Sequence, residues 1–169
     1  EAEGNLGLAL YRDGRNDEAE GFLRRAVARD PARADLRQSL GAVLVDRGEL
    51  VEGAVLLRGA VRDRPDNAAG WAMLASIAGL AVDEAVLAWR RALVLDPTEA
   101  GLWLAAGKTF KKAERLADAA AALFRSLTLD PRQPEALGDL GEVRRLQGRA
   151  LEAAALQKRA IELDREDTA

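Results

Sequence analysis

A chain of 169 residues has room for one domain with a real core or for a short repeat array. Apolar residues make up 49% of it and aromatic ones 4%, a balance that suits close-packed Ala- and Leu-rich helices and predicts an all-α fold. With 25 basic and 28 acidic residues the net charge is -3, which disfavours nucleic acid as the main partner; with neither Cys nor His, disulfides, thiolate metal sites, thiol nucleophiles and the commonest general base are all excluded.

Prolines 31, 65, 97 and 131 close the phrases ARDP, RDRP, VLDP and TLDP at spacings of 34, 32 and 34 residues, and a further 34 reaches Arg165 in ELDR. On this register the chain divides into units 1–33, 34–67, 68–99, 100–133 and 134–169, each predicted to be a pair of helices. The first unit opens on Glu1 with no capping residue before it, so earlier residues or repeats are expected upstream, and the cytoplasm is the favoured compartment. No basic-then-apolar leader and no run of about 18 apolar residues is present, so no membrane span is predicted. Leu6, Gly7 and Leu10 mark the inner face of its first helix, Gly14 the turn, Asp17 and Glu18 the acidic first turn of the second helix, and Ala19 and Leu23 that helix's inner face.

The second unit repeats these slots as Leu40, Gly41, Leu44, Gly48, Glu52, Gly53 and Leu57. The third, with Leu74, Ala75, Ala78, Asp83, Glu84, Ala85 and Trp89, is two residues short at AGLAVDEA (78–85); its turn is tighter or its first helix ends early, with a local kink expected. The fourth carries Ala106, Gly107, Phe110, Asp118, Ala119 and Leu123, but Glu114 replaces the turn glycine, which predicts a different turn geometry. The fifth opens on Pro134 and carries Leu140, Gly141, Gly148, Glu152 and Ala153, while Arg144, Gln157 and Arg165 stand where other units have apolar residues or proline. That substitution is expected where a face meets water.

The succession Trp, Leu-Gly, Tyr, Ala, Phe and Pro over 34 residues is the tetratricopeptide repeat pattern. It is met most closely by Trp71 and Leu74 with Ala85 and Trp89, and by Trp103 with Gly107, Phe110, Ala119 and Pro131. Over nearly its whole length the chain resembles five such repeats, which implies an α-solenoid, a right-handed superhelix of about ten antiparallel helices forming one array over 1–169. Stacked hairpins share a continuous core, and Trp71 and Trp103 are expected to be buried in it, each worth about 3 to 5 kcal/mol against alanine.

The stretch GLWLAAGKTF (101–110) contains a Gly-Lys-Thr that invites a phosphate-loop reading. That loop needs four residues between its glycines and a strand before it. Here five residues, LWLAA, separate Gly101 from Gly107 and read as helix, and Gly107 holds the slot of Gly7, Gly41 and Gly141. The three serines, Ser39, Ser76 and Ser126, have no base at a recognisable spacing, and the carboxylates sit at helix starts and exposed faces. No catalytic, cofactor-binding or metal-ligating residue is predicted, and the chain is read as a non-enzyme.

Charge is the remaining signal. The five units carry -1, -1, -2, +3 and -2, and Lys108, Lys111 and Lys112 share one helix face in the positive fourth. In the family resembled, first helices line a concave groove that holds a partner peptide. Carried onto this chain, the resemblance implies that Gln38, Ala42, Val45, Ala72 and Ser76 line it early, then Lys108 and Lys111, then Glu142 and Arg145. The expected partner is a protein or peptide, with an acidic or carboxylate-terminal segment docking near Lys108, Lys111 and Lys112. The Lys-Asn clamp of chaperone-tail binders is absent, since Gly4 with Leu8 and Gln38 with Ala42 hold those sites, and Asn5 alone matches the asparagine ladder of sugar-transferring relatives. Two alternatives remain: a non-catalytic arm of a larger enzyme such as a transferase, and a homo-oligomer assembling through incompletely covered end repeats.

Overall fold

The computed structural model describes residues 2–166, and among them the secondary structure is ten α-helices: α1 (Ala2–Arg12), α2 (Asn16–Arg29), α3 (Ala34–Asp46), α4 (Leu50–Asp63), α5 (Ala68–Ala75), α6 (Val82–Leu95), α7 (Ala100–Lys112), α8 (Leu116–Leu129), α9 (Pro134–Leu146) and α10 (Ala150–Glu166). Glu1, on which the expectation of upstream sequence rested, lies outside the described residues. Among the described residues no helix is long and apolar enough to cross a membrane.

The chain forms two compact units, Glu1–Leu95 with α1 to α6 and Asp96–Ala169 with α7 to α10. In the first, α1 packs on α2, α3 on α4 and α5 on α6, and the hairpins join where α2 meets α3 and α4 meets α5. In the second, α7 pairs with α8, α9 with α10, and α8 carries α9. The small residues act as predicted: a Cβ at Gly7 would lie 2.9 Å from Leu23 Cγ, and one at Gly41 2.9 Å from Leu57 Cγ, so their absence lets paired helices approach closely. Leu10, Ala19, Leu23, Ala26, Leu36, Leu40, Val43 and Leu44 form one buried cluster spanning the first two hairpins.

The aspartate-proline phrases have a local cause. Asp30, Asp96 and Asp130 each turn a carboxylate oxygen back to accept the backbone N–H two residues on, from Ala32 at 3.2 Å, Thr98 at 3.3 Å and Arg132 at 3.0 Å. This Asx turn carries the chain across a proline that cannot continue the helix. The indoles of Trp71 and Trp103 donate to the carbonyls of Pro65 and Pro97, both at 3.0 Å, and fasten each first helix to the turn before it. Both tryptophans are therefore half-buried against a turn instead of sunk in the core, which corrects the expectation for them; the tryptophan that is fully buried is Trp89.

Glu114 corrects another expectation. Its φ is 58°, in the left-handed region that Gly14, Gly48 and Gly148 occupy at 74°, 85° and 77°. Its N–H reaches Lys111 O at 3.0 Å and that of Arg115 reaches Phe110 O at 2.9 Å, the same two bonds that Gly14 and Arg15 make. The turn geometry is the same in the first, second, fourth and fifth repeats, and the glutamate is strained to meet it. Glu114→Gly is expected to stabilise the chain by about 0.5 to 1 kcal/mol, the relief of strain less the added freedom of the unfolded glycine, measured by urea unfolding.

The short third repeat takes the shortfall from its first helix. α5 has 8 residues against 13 in α3, and a longer turn through Gly79, at φ 82°, follows it. In the last repeat Gln157 and Arg165 are exposed as expected, while Arg144 is half-buried, donating to Gln147 Oε1 at 2.8 Å; Gln147 in turn donates to Leu116 O at 3.1 Å and ties this turn to the preceding repeat.

Candidate functional site

In the first unit the first helices α1 and α3, with the turn before α5 and the first residues of α5, line an open cavity of about 510 Å3. Leu8, Tyr11 and Arg12 contribute one wall, Asp35, Gln38 and Ser39 a second, and Arg64, Asp66, Asn67, Ala68 and Ala69 the third. Gln38 organises it. Its Oε1 accepts from Asn67 Nδ2 and its Nε2 lies 3.5 Å from Met73 Sδ, while Asn67 Oδ1 caps α5 by accepting from Gly70 N at 3.3 Å. A side chain of α3 thus holds the start of α5 in place. The Arg33 guanidinium hydrogen-bonds Asp35 and keeps its carboxyl below the usual range, so the wall carries a fixed negative charge; burial, aided by the charge of Asp46, raises the Tyr11 phenol and keeps it protonated.

Of the residues singled out in the sequence, Gln38 lines this cavity. Ala42 and Ala72 are buried. Val45 turns toward the second helix of its own repeat, its Cγ2 lying 2.7 Å from where a Cβ at Gly53 would be. Ser76 is the C-cap of α5, its hydroxyl donating to Ala72 O at 2.8 Å. Tyr11, Arg12, Arg64 and Asn67 were not singled out; the signal that could have found them is the period itself, which places α1 beside α3 and the turn around Pro65 beside both.

In the second unit Lys108 pairs with Glu135, and Lys111 bridges Asp139 at 2.7 Å and Glu142. All three acids lie on α9, one repeat further on, so the positive charge of the fourth repeat is matched from its neighbour. Burial pulls the Lys111 ammonium down, but its hydrogen bonds to Asp139 and Glu142 outweigh this and leave its pKa raised; the same contact, with Arg145 adding to it, lowers that of Glu142. Lys112 and Arg145 are exposed. The Gly-Lys-Thr is helix throughout: Thr109 Oγ1 donates to Ala105 O at 3.1 Å, and Gly107 faces Leu123.

Two models of one family, each described as tetratricopeptide repeat, match residues 10–77 and 104–168. The chain belongs to the tetratricopeptide repeat family. Among proteins of known sequence, this tetratricopeptide repeat chain is similar to the Protein O-mannosyl-transferase TMTC1 of Homo sapiens, 27% identical over 165 residues; it aligns over 94% of its own length and spans 19% of that relative. Among solved structures, MamA AMB-1 superposes with a TM-score of 0.90 at 23% identity, covering 97% of this chain and 98% of that one. YrrB, described as a TPR protein with an unusual peptide-binding site, superposes with a TM-score of 0.84 at 18% identity, covering 95% and 84%. The tetratricopeptide repeats here thus build the all-α solenoid fold of those structures.

Proposed function

We propose that this chain is a protein-interaction scaffold, without catalysis of its own, whose first-helix face in the unit Glu1–Leu95 holds a short extended segment of a partner. The observation that carries this reading is the cavity of about 510 Å3 on α1, α3 and the turn before α5. Its wall sets the amides of Gln38 and Asn67 and the phenol of Tyr11 among the charges of Arg12, Arg64, Asp35 and Asp66, with Leu8 and Ala68 beside them. Amides and a phenol suit the N–H and C=O groups of an extended backbone, and the flanking charges read its side chains. The peptide-binding site named for YrrB on the same fold supports the reading.

A finer form of it places an acidic stretch of the partner on α7. Exposed Lys112 and Arg145 support this form, and the arriving carboxylates would exchange with Glu135, Asp139 and Glu142 on Lys108 and Lys111. One experiment separates the two seats. Peptides selected from a display library are titrated against the parent chain, against Tyr11→Ala with Arg64→Ala, and against Lys108→Glu with Lys111→Glu, with circular dichroism reporting the fold. A segment seated in the cavity loses about tenfold, or 1.4 kcal/mol, with the first pair of changes. One seated on α7 loses as much with the second pair. Undiminished binding to both double variants would remove the first-helix face as the site.

The 27% likeness to a mannosyl-transferase supports a second reading, in which these repeats are the non-catalytic arm of a larger enzyme. Transferase activity belongs to that reading alone, and the sequence of the full gene on either side of this segment decides it.

A further inference from the structure

Where the second repeat meets the third, inside the unit Glu1–Leu95, an open groove of about 350 Å3 lies between the second helices α4 and α6. Val61 and Pro65 line it from α4 and the turn after it, Leu87 and Ala88 from α6, and Trp71 and Leu74 from α5. The groove has a cause in the sequence. Ala88 holds the slot that Leu56 holds in α4 and Leu156 in α10. Leu56 packs against the core shared by the first two hairpins, and the smaller Ala88 leaves that volume open. Trp71 and Leu95 likewise hold the slots of Arg37 and Asp63. In the second repeat Arg37 is bonded to Asp63 and lies over Gly59, whereas in the third Leu95 is 40% exposed. Both hairpins that flank the groove are present, so its opening is a property of these residues.

Polarity and charge select the occupant. Trp71 Nε1 is spent on Pro65 O at 3.0 Å, and Arg58 and Glu84, which also line the groove, bond each other at 2.5 and 2.8 Å. Val61, Leu74, Leu87 and Ala88 offer no side-chain hydrogen-bonding group. An extended backbone would bury its N–H and C=O groups there without partners, whereas a helix satisfies its own. The nearby carboxylates are taken, Glu84 by Arg58 and Asp63 by Arg37. Arg62 is 79% exposed, and its one ion-pair contact among the described residues is Asp63 at 3.8 Å. Arg91 lies one turn beyond Leu87 and Ala88 on the same face of α6, exposed and with no partner among the described residues. The unmatched charge beside the groove is therefore positive.

We infer that this groove is a second docking site, which takes an amphipathic, acidic helix of another protein. Apolar side chains of that helix enter beside Trp71, Leu87 and Ala88, and carboxylates on its flanks meet Arg62 and Arg91. The groove shares no lining residue with the cavity on α1, α3 and the start of α5, so the two seats are tested independently.

Fluorescence anisotropy tests this with a panel of dye-labelled, hydrocarbon-stapled helices that carry leucine and phenylalanine on one face and glutamate on its flanks. Each is titrated with the 169-residue chain and its variants, and circular dichroism confirms that every variant folds. The parent is expected to bind members of the panel, and to bind the same helices with lysine flanks about tenfold more weakly. Ala88→Leu, which restores the side chain of the Leu56 slot, should weaken binding by about tenfold, and so should Leu87→Glu at a 57% exposed position. Arg62→Glu with Arg91→Glu should remove the preference for acidic flanks, while Tyr11→Ala with Arg64→Ala should leave binding unchanged. A parent that binds no member of the panel, or binds acidic and basic helices equally, overturns the inference. Undiminished binding by folded Ala88→Leu and Leu87→Glu chains overturns it too.

Discussion

Replacing Trp89 by alanine is expected to destabilise the chain by about 3 to 5 kcal/mol, a large share of the total for a domain of this size. The side chain is 2% exposed and sits on α6 at the slot that Leu23, Leu57 and Leu123 hold in other repeats, all of them fully buried. Its removal leaves a cavity on the buried face of α6, which packs on α5. Trp71→Ala and Trp103→Ala remove a half-buried ring and one hydrogen bond to a turn carbonyl, and are expected to cost about 1 to 2 kcal/mol each. Urea unfolding followed by helical circular dichroism ranks the three. Equal losses for Trp71 and Trp89 would contradict the burial order.

Gly107→Val should be the most damaging change at any residue of the Gly-Lys-Thr. A helix-interior glycine is ordinarily worth replacing, because a side chain recovers up to about 1 kcal/mol of helix propensity. Here the added Cβ would fall 2.6 Å from Leu123 Cγ and 3.3 Å from Leu123 N, and Leu123 is fully buried. Part of the clash is with backbone, which no rotamer change relieves, so an overpacking cost of about 1 to 3 kcal/mol or more wins. Gly21→Ala is the control. It lies within α2 and its Cβ would meet Arg25 Nη1 at 3.6 Å, an ordinary contact, so the chain should gain about 0.5 to 1 kcal/mol. Opposite signs for the two substitutions in the same unfolding assay would show that helix approach, not propensity, decides the fate of a glycine in this fold. Two stabilising results would refute the tight packing of α7 on α8.

The hairpins were legible in the sequence because their cause is local and repeated: small residues at Gly7, Gly41 and Gly107, Leu23, Leu57 and Leu123 four residues after the small residue of their second helices, and turns that recur with the period. What periodicity does not carry is depth. Trp71 and Trp103 occupy motif positions, and nothing in the motif says that their indoles end on the carbonyls of Pro65 and Pro97. Glu114 misled because residue preference was taken for geometry, whereas the bonds from residues 114 and 115 back into α7 impose the left-handed turn on whatever residue stands there.

The candidate site was less legible for the same reason. Membership of a first helix does not fix the direction of a side chain: Val45 turns to its own hairpin, and the early end of α5 makes Ser76 a cap. Lys108 and Lys111 looked like an open basic face because charges were summed repeat by repeat. Their partners, Glu135, Asp139 and Glu142, lie 27, 28 and 31 residues on, about one period away, where α9 lies beside α7. Gln38 was found, and its neighbours Tyr11, Arg64 and Asn67 emerge once the same period is read across elements instead of along them.

The measurement that bears most directly on the scaffold reading is backbone amide NMR of the isotope-labelled chain, titrated with a peptide selected on it. Shift changes are predicted to concentrate on residues 8–12 of α1, 35–39 of α3 and 64–69 of the turn into α5, the walls of the 510 Å3 cavity. Changes confined to the second helices α2, α4 and α6, with the cavity walls silent, would contradict it.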